Sequence, residues 1–181
     1  MVRNTFQNKL FSTPHINSKF SSKQIETLYL DSARNGEIDL LDEFIKAGMN
    51  INHQNGDGHT PLIVATYNNQ VATTQYLLKK NVDPNIKDNQ GATALTGVAF
   101  KGYTYIAKNL VEAGAIVDTE NNLGRTPLMF AILFGRYEMI QFLLSVGADP
   151  NHLDGEGSNS IQYAERQGNT TLIQLLKKSI H

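Results

Sequence analysis

The chain has 181 residues, 40% hydrophobic and 18% charged, a composition that buries a core and excludes wholesale disorder. Sixteen Lys plus Arg oppose seventeen Asp plus Glu for a net charge of −1, so no global basic field gathers nucleic acid or anionic lipid. Cysteine is absent, which removes disulfides, thiolate metal sites and Cys nucleophiles.

Residues 1–21 show neither helical nor strand periodicity and read as an N-terminal arm, flexible or docked on its own domain. They hold no continuous apolar run of the secretory kind, and no window reaches the roughly 18 to 20 apolar residues of a membrane span, so a soluble protein is expected. Ser21 and Gln24 predict a capping box opening a helix with Ile25, Leu28 and Tyr29, and Leu40, Leu41, Phe44 and Ile45 supply its partner helix. Thr60-Pro61-Leu62 and Thr126-Pro127-Leu128 each predict a helix start, with Thr as N-cap and Pro where no amide donor is needed. Thr93-Ala94-Leu95 and Asn159-Ser160-Ile161 keep the cap without Pro, which predicts weaker starts in the same phase. Paired apolar positions at Met139, Ile140, Leu143 and Leu144, matched by Leu172, Ile173 and Leu176, mark second helices with one apolar face.

One period organises these elements. Gly58, Gly91, Gly124 and Gly157 recur every 33 residues, as do Gly36, Asn69, Gly102, Gly135, Gly168 and Gly48, Asn81, Gly114, Gly147. Asn replaces Gly at two places, and it is the next residue to tolerate left-handed backbone. Asn55, Asp88, Asn121 and Asp154 stand three residues before the first glycines, where an Asx side chain closes a turn.

Gly58-His59-Thr60-Pro61-Leu62 and Gly147-Ala148-Asp149-Pro150-Asn151, with the in-phase series, resemble ankyrin repeats over 22–181. The resemblance implies an all-α repeat protein, a solenoid of stacked helix-turn-helix units with β-turn or hairpin fingers. It divides the ankyrin repeat domain into a capping unit 22–55, full repeats 56–88, 89–121 and 122–154, and a truncated unit 155–181. The His that follows Thr-Pro-Leu in the family is replaced by Ile63, Thr96, Met129 and Gln162, which removes that hydrogen-bond network and puts apolar packing at Ile63 and Met129.

A stack of small helix pairs offers a long concave surface rather than a deep pocket. In the family, exposed positions at the first-helix ends and on the fingers contact partners. Carried here residue by residue, the helix positions are Arg34, Tyr67, Asn68, Phe100, Lys101, Leu133, Phe134 and Arg166, and the finger positions are His59, Leu123 and Arg125. Aromatic and aliphatic residues between arginines have the make-up of an interface core with a polar rim. The opposing reading is that Phe100, Leu133 and Phe134 fold back over grooves between repeats.

Catalytic chemistry finds little support. His53 and His152 are three repeats apart, and His53, Asp57 and His59 lack Cys or paired carboxylates, so no metal is expected. Gly155-Glu156-Gly157-Ser158 lacks the third Gly and the preceding strand of a phosphate-binding turn. The expectation is therefore a non-enzymatic module without cofactor, a monomer that binds another protein as adaptor, scaffold or inhibitor, with no nucleic acid or membrane partner. It is placed in the cytoplasm or, alternatively, as a secreted effector inside a host cell. The competing readings are a small-molecule binder or enzyme using the concave face, and a self-associating structural protein.

Overall fold

The computed structural model describes residues 20–179, and the predicted arm falls almost wholly outside them. Ten helices form among the described residues. They are α1 Ser22–Asn35, α2 Ile38–Lys46, α3 Pro61–Tyr67, α4 Val71–Lys79, α5 Ala94–Lys101, α6 Thr104–Glu112, α7 Pro127–Leu133, α8 Tyr137–Ser145, α9 Ser160–Arg166 and α10 Thr170–Lys178. They divide into two compact units, the first ending at Val82 and the second beginning at Asp83.

Each pair starts as the capping residues dictate. The Ser21 side chain accepts from the Gln24 amide while Gln24 returns to the Ser21 amide. Thr60 and Thr126 accept from the amides of Ile63 and Met129, with Pro61 and Pro127 at the first helical position. Where Pro is missing, the residue in the family's His position completes the cap instead. Thr96 bonds back to the Thr93 amide and Gln162 to the Asn159 amide, each closing a reciprocal box. Met129 is fully buried, in line with apolar packing at that position.

The left-handed positions fall on the predicted series. Asn69 and Asn81 stand at φ 57° and 58°, in register with the glycines that end the other first and second helices.

In the first unit α1 packs on α2 and α3, and α4 on α2 and α3. Tyr29, Leu41, Leu62 and Leu77 are buried at the centre, each side chain contributing about 2 kcal/mol of transfer free energy. In the second unit α5, α7 and α9 stack side by side, and α6 packs on α8 behind them. Leu95, Ile106, Leu110, Leu128, Ile132, Ile140 and Leu143 fill the space between. Neither helix of a pair could hide its apolar stripe alone, which is why stacking and folding are the same event.

The hairpin part of the finger expectation is not seen, since no strand forms among the described residues. Each finger is a tight turn. Asn55, Asp88, Asn121 and Asp154 each accept two backbone amides, two and four residues ahead, so the side chain does the work of a ladder partner. In the second unit single backbone bonds join neighbouring fingers, Asn122 N–H to Gln90 O and Gly155 N–H to Leu123 O, both 2.9 Å. With so few residues per finger, no longer run of pairing develops.

Candidate functional site

The expected contact positions are best placed in the second unit, where lateral bonds fix the ends of three first helices. Arg136 Nε donates to Phe100 O at 3.0 Å, holding the α7–α8 turn against the end of α5. Gln167 Nε2 donates to Ile132 O at 3.1 Å, holding the end of α9 against α7. Phe100, Lys101, Leu133, Phe134 and Arg166 therefore stand on adjoining helix ends.

Phe100 and Phe134 meet edge to face with ring centroids 4.4 Å apart. Phe100 and Leu133 are half-buried, whereas Phe134 keeps 46% of its surface exposed. Phe100 is thus partly sunk between the repeats, and Phe134, resting on it, faces solvent. Lys101 Nζ lies 5.5 Å from the Phe100 ring centre, at the rim of the pair. Arg166 lies on the other side, its Nη2 donating to Ser158 Oγ at 2.8 Å and its guanidinium 5.6 Å from the Tyr163 ring.

On the fingers, Leu123 is 57% exposed, so its side chain does not pack into a neighbouring finger. Arg125 is half-buried and engaged. Its Nε lies 3.6 Å from Asp154 Oδ2 and an Nη 3.6 Å from Glu156 Oε1, while the guanidinium also approaches Tyr163. Arg125 is thereby tied to its own domain, where it links two fingers.

In the first unit Tyr67 is 43% exposed at the end of α3. Arg34, exposed at the end of α1, pairs with Asp31 and offers its carbonyl to Gln70 Nε2 at 2.7 Å. Asn68 Nδ2 donates to Val64 O at 2.8 Å, so this side chain caps its own helix. His59 is half-buried, and its amide and carbonyl both serve the Asn55 turn.

Sequence reasoning placed Asp154 in its turn but missed its bond to Tyr163. Asp154 is buried, accepts the Ser158 and Glu156 amides, and takes the Tyr163 hydroxyl at 2.5 Å. Burial alone pushes its carboxyl upward. The hydroxyl, the two amides and Arg125 together outweigh burial and hold it below the usual carboxylate range. It also missed Arg136 and Gln70, which share a phase and make equivalent bonds to the preceding first helix. Their common register was the available signal. His53 and His152, weighed as ligands, instead lie 2.8 Å from Glu26 of the same unit and 3.0 Å from Glu120 of the preceding repeat. Among the described residues no group of three or more His, Asp or Glu is arranged to hold a metal ion.

Two-helix units in fixed register, joined by Asx-closed turns and presenting their first-helix ends side by side within each unit, define an all-helical repeat protein. The family model for ankyrin repeats in three copies matches residues 29–121, 75–154 and 98–181, so the chain belongs to the ankyrin repeat family. Ankyrin repeats are in general protein-interaction modules and typically carry no catalysis. No curated protein matches the chain. No helix among the described residues is long and apolar enough to cross a membrane.

Proposed function

We propose that this chain is a non-catalytic binding module that engages another protein through its first-helix ends and fingers, acting as an adaptor, scaffold or inhibitor. The observation that carries this reading is the exposure of Phe134, supported from beneath by Phe100. An aromatic ring held rigid yet left in water costs little further side-chain entropy on binding and buries a large area. Tyr67, at a helix end of the first unit, and Leu123, on a finger of the second, are exposed as well. The repeat boundaries 22–55, 56–88, 89–121, 122–154 and 155–181 belong to the same reading, because the in-phase glycines set them.

The test is capture of the native partner by wild type and by Tyr67→Ala, Phe100→Ala, Phe134→Ala combined. The variant should lose capture. The control is Phe134→Ala alone, whose thermal unfolding curve should be nearly unchanged because the ring contributes little to the core. Unchanged capture by the triple variant would reject this face.

A further inference from the structure

The repeat period shows which side chains face the helix pair before their own. Gln70 donates to Arg34 O, Arg136 to Phe100 O and Asn169 to the Tyr137 hydroxyl, each reaching the preceding pair from one phase. Tyr76 and Phe142 share a second such phase. The Tyr76 hydroxyl meets Asp42, and Lys108 Nζ lies 6.0 Å from the Phe142 ring centre. Two further phases are buried in every later pair, one at Pro61, Ala94, Pro127 and Ser160, the other at Thr73, Ile106, Met139 and Leu172.

Among the described residues no pair precedes α1 and α2, where these four phases hold Glu37, Glu43, Leu28 and Leu40. Leu28 and Leu40 are only half-buried. Glu37 is exposed and caps no helix, and it puts an acceptor where Gln70, Arg136 and Asn169 carry donors. Glu43 keeps one carboxylate oxygen buried without a hydrogen bond among the described residues. A cleft lined by Phe20, Lys23, Gln24, Thr27 and Leu28 opens at the same helix. From Ser22 to Lys46 six acids oppose three bases. Arg34 meets Asp31, Lys46 and Lys80 meet Asp42, and His53 meets Glu26, which leaves Glu37, Asp39 and Glu43 against Lys23.

The chain holds the complementary chemistry next to this face. Residues 1–19 carry Arg3, Lys9 and Lys19 without any Asp or Glu, and the apolar Phe6, Leu10 and Phe11. They join the described chain at Phe20, on the wall of the cleft. A segment of that length reaches at most about 65 Å, against about 14 Å for the whole of α2.

We propose that residues 1–19 of the same chain cover this face, with Phe6, Leu10 and Phe11 against Leu28 and Leu40 and a basic side chain meeting Glu37 or Glu43. They stand in for the pair that every later unit has before it. Apolar burial supplies the attraction, and the opposite charges set the register. A segment tethered at Phe20 acts at a millimolar effective concentration, which favours it over a second copy stacking end to end at micromolar concentration. The proposal is independent of the binding face around Phe134.

The chain has no cysteine, so Asn8→Cys in the full chain takes a single nitroxide label. The label should attenuate the amide signals around Leu28 and Leu40 more than those of α4, equally at all protein concentrations. Phe6→Ser, Leu10→Ser and Phe11→Ser combined should speed hydrogen exchange in α1 and α2 about tenfold. Arg3→Gln with Lys9→Gln should speed it roughly two- to threefold, an effect that high salt removes, while Arg3→Lys with Lys9→Arg should leave it as in wild type. None of these substitutions touches a residue of the ten helices. Unchanged exchange in the Ser variant overturns the proposal, as does attenuation that is absent or spread evenly over the first unit. Attenuation seen when isotope-labelled chains are mixed with separately spin-labelled chains would place the contact between copies and overturn it too.

Discussion

The Tyr163 hydroxyl donates to Asp154 Oδ2, joining α9 to the finger that precedes it. Because the same carboxylate also closes the finger through the amides of Glu156 and Ser158, one buried charge serves two elements. Removing the donor leaves that charge short of a partner. Tyr163→Phe should destabilise the protein by about 1–2 kcal/mol, and Asp154→Ala, which frees two amides and a hydroxyl together, by about 3 kcal/mol. Urea unfolding of the two variants checks the order. Equal losses would mean the hydroxyl alone matters.

Asp42 predicts the acid limit of the first unit. Its carboxyl meets Lys46 at 2.6 Å, the Tyr76 hydroxyl at 2.5 Å and Lys80 at 3.5 Å, binding α2 to α4. The hydrogen bonds from Lys46 and then Tyr76 lower its pKa from 3.8 to about 2. The folded state thus holds the proton less tightly than the unfolded state. The stabilisation is complete above the unfolded-state value and is lost as the pH falls from there through about 2. Asp154, also held below its usual range, adds a loss of the same sign. Melting temperatures measured from neutral pH down to strong acid should fall steeply across this window for wild type and less steeply for Asp42→Asn. Parallel curves would show that Asp42 is not the source.

The glycines separate into two classes by what surrounds them. A Cβ on Gly124 would sit 2.6 Å from the backbone nitrogen of Gly155, and one on Gly91 would sit 2.7 Å from that of Asn122. Those nitrogens donate the bonds that join neighbouring fingers, so they cannot retreat without breaking them. Gly114 has the same left-handed backbone but open space around it. Gly114→Ala should therefore cost about 1–2 kcal/mol from backbone strain, and Gly124→Ala about 3 kcal/mol or more. Denaturant midpoints of the pair measure the difference, which is the contribution of finger contact alone.

The two kinds of helix start predict a rescue. Thr93 and Thr96 form a reciprocal cap at a start without Pro, whereas Thr60 and Thr126 rely on Pro61 and Pro127. Thr96→Ala should cost about 1 kcal/mol by opening the box. Ala94→Pro places Pro at the first helical position after extended Thr93, and should return about 0.5 kcal/mol in that background. Thermal melts of the single and double variants test this. Further loss in the double variant would show that the tight packing around Ala94 excludes the ring.

Local signals are what the sequence carries best here. A period of 33 with Gly, Asn, Thr-Pro and Asx in fixed phases specifies backbone conformations one residue at a time, and φ 57° at Asn69 or the Thr60 cap needs no distant partner to be legible. The helix pairs, their starts and the family followed from that. So did the positions of the exposed side chains, because phase alone places Phe134 at a helix end. One local detail at the two starts without Pro, the reciprocal bond from Thr96 and Gln162, was not read from the sequence.

Tertiary structure decided what those side chains do with their neighbours. Phe100 and Phe134 are separated by a full repeat in sequence, and only stacking brings their rings to 4.4 Å, one partly sunk and the other raised. Arg125 and Arg166 look alike along the chain, yet Asp154 and Glu156 meet the first, while the second bonds Ser158 and stacks on Tyr163. A repeat period fixes direction and depth along its own helix. Which charge is neutralised and which ring is covered depends on residues one repeat away, where stacking contacts rather than chain neighbours set the energy.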